Sequence, residues 1–148
     1  MKERSMNERS TRGWKIGLHA LAAINLANGI WMLWDPALWY TDLPAGVPDF
    51  GPYNEHFVRD IGAVFLTLAV ALAWAAQRER HRLPLVAVTC LFYVLHAGGH
   101  VFDTARGFVE AHHWWLDLPG VYVPALLLVA LTVTLARPDV SAGAEERT

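Results

Sequence analysis

The sequence has little cysteine and little charge. Cys90 is the single cysteine among 148 residues, so the chain forms no internal disulfide. Charged residues make up 18% of the chain against 54% hydrophobic residues, and the formal net charge is only −2. No basic patch with interleaved aromatic residues is present, so nucleic acid is not an expected partner. The composition therefore points away from disulfide-stabilised and nucleic-acid-binding proteins.

Charge is nearly absent from four long apolar runs, which cover residues 14–34, 56–76, 83–101 and 118–136. Each run is long enough, at about 1.5 Å per helical residue, to cross the hydrocarbon core of a bilayer. A soluble helix bundle would need a charged stripe on each helix. The last run has no ionisable side chain except the phenol of Tyr122. The sequence therefore predicts an all-α integral membrane four-helix bundle over residues 14–136, in contact with the lipid bilayer.

Basic residues are missing from two of the connections. Residues 35–55 contain no Lys or Arg, and residues 102–117 contain only Arg106. Most other basic residues lie in three polar segments, namely the tails 1–13 and 137–148 and the turn 77–82. Because basic residues concentrate in cytoplasmic segments, both tails are predicted to be cytoplasmic. The two basic-poor connections are then outside, where several of the seven Trp residues would lie at the membrane interface.

The first outer connection, residues 35–54, contains four prolines and two glycines. Such composition is typical of turns rather than of a helix, so we expect an ordered, turn-rich lid on the bundle. The turn between the second and third spans has about six residues, which makes these spans antiparallel neighbours. In the first span, Asn25 and Asn28 are expected to form interhelical hydrogen bonds.

Ionisable residues nevertheless occur within the spans. The stretch LFYVLHAGGHVFD places His96, His100 and Asp103 at i, i+4 and i+7, on one face of a helix. The second span offers another i, i+4 pair, His56 and Asp60, at a matching depth. Ionisable groups inside a membrane are costly and often functional. We therefore expect a polar site near the outer membrane face.

Three interpretations of this constellation remain open. In the first, Arg59 pairs with Asp60 and the histidines only stabilise helix packing. In the second, a metal or haem is bound, with zinc or iron held by His56, His96 and His100 and by Asp103 or Asp60 as fourth ligand or orienting partner. In the third, a metal-free site uses Asp60 or a histidine as acid or base, and Arg59 binds an anionic substrate group.

The outer loop contains two adjacent histidines, His112 and His113, in the segment EAHHWW. They could fold over the site, but adjacent residues point to different faces of a regular element, so neither is expected to be a principal ligand. The glutamate of an HExxH motif is missing between His96 and His100. A zinc protease is therefore not indicated.

The motifs NEHFVRDIGA and FYVLHAGGHVFD, with four short spans and a Trp- and Pro-rich first outer loop, resemble small bacterial four-span membrane proteins of the broad DoxX-like kind. This resemblance implies the fold and a bacterial inner membrane, and supplies no catalytic residue set. We predict metal or small-ligand binding, with redox or hydrolytic chemistry as an extension. The alternative is a non-catalytic accessory or structural subunit that binds a membrane-protein partner or a second copy of the chain.

Overall fold

The computed structural model describes the backbone of residues 2–137 and the side chains of residues 13–137. This part of the chain is 85% helical and contains no strand. The predicted C-terminal tail lies outside the described residues except for Arg137, and so do the side chains of the N-terminal basic residues. The all-α prediction is confirmed for the part of the chain that is described.

Four long helices form the body of the molecule. They are α1 (Lys2–Trp34), α3 (Glu55–Gln77), α4 (Glu79–Ala105) and α6 (Val123–Ala136), the last preceded by a π-helical turn, Leu118–Tyr122. Between them lie α2 (Pro36–Asp42), a 3-10 turn (Val47–Phe50) and the short helix α5 (His113–Leu116).

Four helical segments are long and apolar enough to cross a membrane, namely Gly13–Trp34, Glu55–Gln77, Glu79–Ala105 and Leu118–Ala136. They coincide with the four predicted runs, and the chain is a multi-pass membrane protein by this criterion. The third segment begins earlier than predicted, because the expected six-residue turn is reduced to Arg78. The buried Arg82 explains this short turn, since its Nε donates to the carbonyl oxygen of Ala75 at 3.3 Å and its Nη1 to Glu79 at 3.0 Å.

The long helices pack in the order α1, α3, α4 and α6, each against the next. The apolar core includes Leu18, Leu72, Val86 and Leu128, all of which are fully buried. One polar contact crosses this core, where the Tyr93 hydroxyl donates to Asn25 Oδ1 at 3.0 Å. The predicted hydrogen bond between helices is therefore present at Asn25.

The first long connection is ordered and packs onto the helices, as predicted, but it is not free of helix. Pro36 begins α2, and the Asp35 carboxylate caps it by accepting from the Leu38 backbone N–H at 3.0 Å. Proline is well tolerated at a first helical position, where its missing N–H has no partner to lose. The buried Trp39 anchors this segment by donating from Nε1 to Asn28 Oδ1 at 2.9 Å.

Helices α1 and α3 meet at a pair of glycines. A Cβ atom on Gly62 would lie 2.8 Å from the Cβ of Met32, and one on Gly29 would lie 2.8 Å from the carbonyl oxygen of Gly62. Side chains at either position would push the two backbones apart. This contact fixes the rotation of α3, with Val58 and Leu72 turned inward beside Gly62.

We expect Gly62→Ala to lower the free energy of unfolding by about 1–3 kcal/mol, because the added methyl group overpacks the α1–α3 contact. Gly98→Ala is the matched control, since a Cβ at Gly98 meets nothing within 4 Å. Thermal unfolding in detergent, followed by tryptophan fluorescence, measures both. Equal melting temperatures for the two variants would contradict the close contact.

Candidate functional site

Ionisable side chains gather where the two long connections, residues 35–54 and 106–117, meet the helices. We call this the loop end of the molecule. The cluster combines α4, the 3-10 turn, α5 and the residues directly before and after α5. Its members are Asp49, His100, His112, His113 and Asp117.

Asp117 lies at the centre of this cluster and its carboxylate is fully buried. Its Oδ2 lies 2.8 Å from Nδ1 of His100 on α4, and its Oδ1 lies 3.4 Å from Nδ1 of His113 on α5. Each imidazole can donate its Nδ1–H to a different oxygen, so the buried charge is compensated from two sides. Asp117 therefore holds two separate segments together and sets the orientation of both rings.

His113 is fully buried, and both of its ring nitrogens face carboxylates. While Nδ1 faces Asp117, Nε2 lies 3.1 Å from Oδ2 of Asp49 in the 3-10 turn. A cation fits between Nε2 and the Asp49 carboxylate, either as a proton or as a metal ion. Gly46 lets the loop approach this ring, since it has a φ of 61° and a Cβ there would lie 3.0 Å from His113 Cε1.

His112 lies beside His113, and its side chain is half exposed. Its Nε2 lies 3.9 Å from the same Asp49 Oδ2, and its Nδ1 lies 3.4 Å from a carboxylate oxygen of Glu110. The ring of Phe50 covers the buried side of the cluster, with centroids 4.8 Å from His113 and 4.7 Å from His100. The cluster is thus closed on one side and open at Asp49 and His112.

Within residues 13–137, Asp49, His112 and His113 form the one set of three metal-ligand residues whose ligand atoms all lie within 4.8 Å of one another. Ligand atoms around a tetrahedral zinc ion at about 2.0–2.1 Å are separated by roughly 3.3 Å. The two distances to Asp49 Oδ2, 3.1 and 3.9 Å, lie on either side of that value. The ligand atoms of the two imidazoles lie within 4.8 Å of each other, so the side chains would have to draw together to coordinate one ion.

An open cleft of about 440 Å³ adjoins two of these residues, and its lining is Asp49, Phe108, Val109, Glu110 and His112. It has room for water or a small ligand next to a bound ion. Glu110 adds a carboxylate to its wall, which makes the cleft suitable for a polar or cationic group.

The residues predicted from the sequence are only partly brought together. His96 and His100 do meet on α4, with ring centroids 4.6 Å apart in an edge-to-face arrangement. His100 bonds to Asp117, however, and the expected partner Asp103 instead pairs with Arg106 at 2.8 Å. Asp103 therefore does not orient His100 as expected.

The pair on the second span points elsewhere. His56 and Asp60 lie 3.4 Å apart, but their side chains are 88% and 63% exposed on the outside of α3. Arg59 pairs with Glu55 at 2.9 Å, rather than with Asp60. The ligand set predicted from the sequence, His56, His96, His100 and Asp103, is thus not assembled at one point among the described residues.

Four residues of the cluster were missed as principal site residues, namely Asp49, His112, His113 and Asp117. A local signal existed for two of them, because His113 and Asp117 are four residues apart and share one face of a helical turn. Asp49 is 64 residues from His113 in sequence. Local spacing carries no information about such a contact.

No protein family model, no curated protein and no solved structure matches this chain. The DoxX-like resemblance therefore stays a prediction, and the function has to be inferred from the chemistry of the site.

We expect Asp117→Asn to lower the free energy of unfolding by about 2 kcal/mol, because an amide cannot accept from both imidazoles and leaves a buried donor without a partner. Asp103→Asn is the control, since it removes a more exposed ion pair worth about 1 kcal/mol or less. Reversible unfolding in mixed micelles compares the two variants. A smaller loss for Asp117→Asn than for Asp103→Asn would show that Asp117 does not organise the cluster.

Proposed function

We propose that this chain is a membrane four-helix bundle that binds a divalent transition-metal ion at its loop end, through Asp49, His112 and His113. The observation that carries this proposal is the position of His113, whose Nδ1 is directed at the buried Asp117 and whose Nε2 is directed at Asp49. In metal-binding histidines, the N–H of the second ring nitrogen commonly donates a hydrogen bond to a carboxylate in this way.

The charges and donor types of the site support a divalent ion. Two imidazole nitrogens and one carboxylate oxygen are found both in catalytic zinc sites and in non-haem Fe(II) sites. Asp49 supplies one negative charge directly and Asp117 supplies a second one through His113. The net negative charge around the ligand atoms favours a cation at this position.

A group of outer contacts supports the orientation of the ligands. Asp117 directs His113, and Glu110 lies within 3.4 Å of His112 Nδ1, so each imidazole has a carboxylate behind it. Such contacts fix the tautomer with a free Nε2 and raise the basicity of the ligand. These contacts therefore favour the ring orientations in which each Nε2 is free to bind an ion.

Three protein ligands leave at least one coordination position for water or a small ligand. The cleft beside Glu110 provides the space for it. The arrangement supports reversible ion binding first, and hydrolytic or redox chemistry as an extension in which the bound ion supplies Lewis acidity or electron transfer. The chain would be an enzyme if a substrate binds in the cleft beside the ion, and an ion-binding protein if only water does.

The location of the site follows from the distribution of basic residues. We propose that both termini are cytoplasmic and that the loop end faces outside, in the inner membrane of a bacterium, because residues 35–55 contain no Lys or Arg. The site would then take its ion from the exterior.

The decisive measurement is titration of metal-free, tag-free protein in detergent with Zn²⁺ by calorimetry and with Co²⁺ by visible absorption. We expect one equivalent to bind to the wild type, and His113→Gln to weaken the affinity at least tenfold because it removes a ligand. His56→Gln is the matched control and should bind as the wild type does, since His56 lies outside the cluster.

The outcomes separate the alternatives. Normal binding by His113→Gln together with loss of binding by His56→Gln would overturn this site in favour of the ligands predicted from the sequence. If folded wild-type protein binds neither Zn²⁺, Co²⁺ nor Fe²⁺, the cluster only stabilises the packing of the two connections. That result would favour the non-catalytic accessory subunit.

A further inference from the structure

The outward face of α3 combines charged, small and aromatic residues that are exposed, although the Trp74 ring also contacts His81 of α4. Its members recur at helical spacing and are His56, Asp60, Ala63, Thr67, Val70 and Trp74. The opposite face of the helix, with Val58 and Gly62, packs inward against α1. We call this exposed stripe the α3 outer face.

Asp60 is the residue of this stripe that a lipid environment tolerates least. It lies five positions after the start of α3, about 7.5 Å along the helix, and its carboxylate is 63% exposed. Ionisable residues within membrane spans nearly always face protein or a water-filled cavity and have a charged or polar partner. His56 at 3.4 Å is its recorded partner, and that imidazole is itself 88% exposed.

The α3 outer face and the residues beside it carry charges of both signs, so two copies of this surface are complementary in charge. Glu55 and Asp60 are acidic, whereas His56 and Arg59 are basic, and all four lie within two turns of α3. In a two-fold dimer of parallel helices, the same residues of both copies lie at the same depth. The two Asp60 carboxylates then approach each other, and each can pair with Arg59 or His56 of the other copy, which lie within about one turn of it.

The middle of the stripe allows close approach. Ala63 and Thr67 are small, and the Thr67 hydroxyl is already bonded to the Ala63 carbonyl oxygen at 2.9 Å, so it needs no outside partner. Small residues four apart are typical of helix–helix contacts in membranes. The exposed face of α6 has a similar small pair, Ala130 and Thr134, but none of its residues is ionisable, so the charges distinguish the α3 outer face.

We propose that the α3 outer face is the interface of a homodimer, in which Asp60 of one copy pairs with Arg59 or His56 of the second copy. This inference is independent of the metal site, because neither Asp49 nor His113 lies on α3. A second copy fits better than an unrelated partner because both signs of charge are present on the same short segment.

Cysteine cross-linking in lipid vesicles tests the contact directly. In a Cys90→Ala background, Thr67→Cys should give a disulfide-linked dimer on mild oxidation, because Thr67 lies at the centre of the stripe. Leu126→Cys on the exposed face of α6 is the matched control and should remain monomeric. Monomer in both variants, or equal cross-linking in both, would overturn the proposed interface.

A second measurement tests the role of the charge. Asp60→Ala should raise the dimer dissociation constant at least tenfold, because the substitution removes the interchain ion pair. It also removes the carboxylate whose exposure to lipid disfavours the monomer. Fluorescence transfer between labelled copies in vesicles measures the constant. Asp103→Ala, which removes a carboxylate paired within its own helix, should leave the constant unchanged. An unchanged constant for Asp60→Ala would overturn the ionic part of the proposal. Metal titration of the same variants is expected to match the wild type.

Discussion

The arrangement of the loop end depends on the buried carboxylate of Asp117. A buried charge is tolerated only when partners surround it, and here the partners are His100 from α4 and His113 from α5. His113 in turn contacts Asp49, which belongs to the connection between α1 and α3. One carboxylate thus links two connections that have no disulfide to hold them, and the Trp39–Asn28 hydrogen bond anchors the first of them separately.

The same interaction links folding to the proposed chemistry. The contact that satisfies Asp117 uses Nδ1 of His113 and thereby leaves Nε2 directed at Asp49 and close to His112. A metal ion at this position would replace a weak imidazole–carboxylate contact by coordination bonds without disturbing the buried pair behind it. The binding free energy would therefore also stabilise the fold of the connections.

The long-range features of this site could not be read from the sequence. Hydropathy located the four spans, because crossing a membrane requires a continuous apolar run. The spacing of His96 and His100 was also sufficient to place them together on α4. The rotation of α3, by contrast, depends on the contact between Gly29 and Gly62. The spacing of the hydrophobic residues does not predict this contact. Similarly, the common approach of His112 and His113 to Asp49 depends on the local turn at the start of α5, so the rule that adjacent residues diverge failed there.

The contact between Gly29 and Gly62 also explains why the polar residues form two separate groups. One is the Asp117 cluster, enclosed by the connections, and the other is the pair His56 and Asp60 on the outside of α3. Residues two positions apart on a helix are about 160° apart around its axis, so burying Gly62 against α1 turns Asp60 outward. His56, four residues before Asp60, follows it to the same side. The histidines of α4 are then left to pair with Asp117, which comes from the second connection rather than from α3. The polar group enclosed by the connections is satisfied within one copy of the chain, whereas Asp60 on the outside of α3 has only the exposed His56 beside it, which is the basis of the proposed dimer.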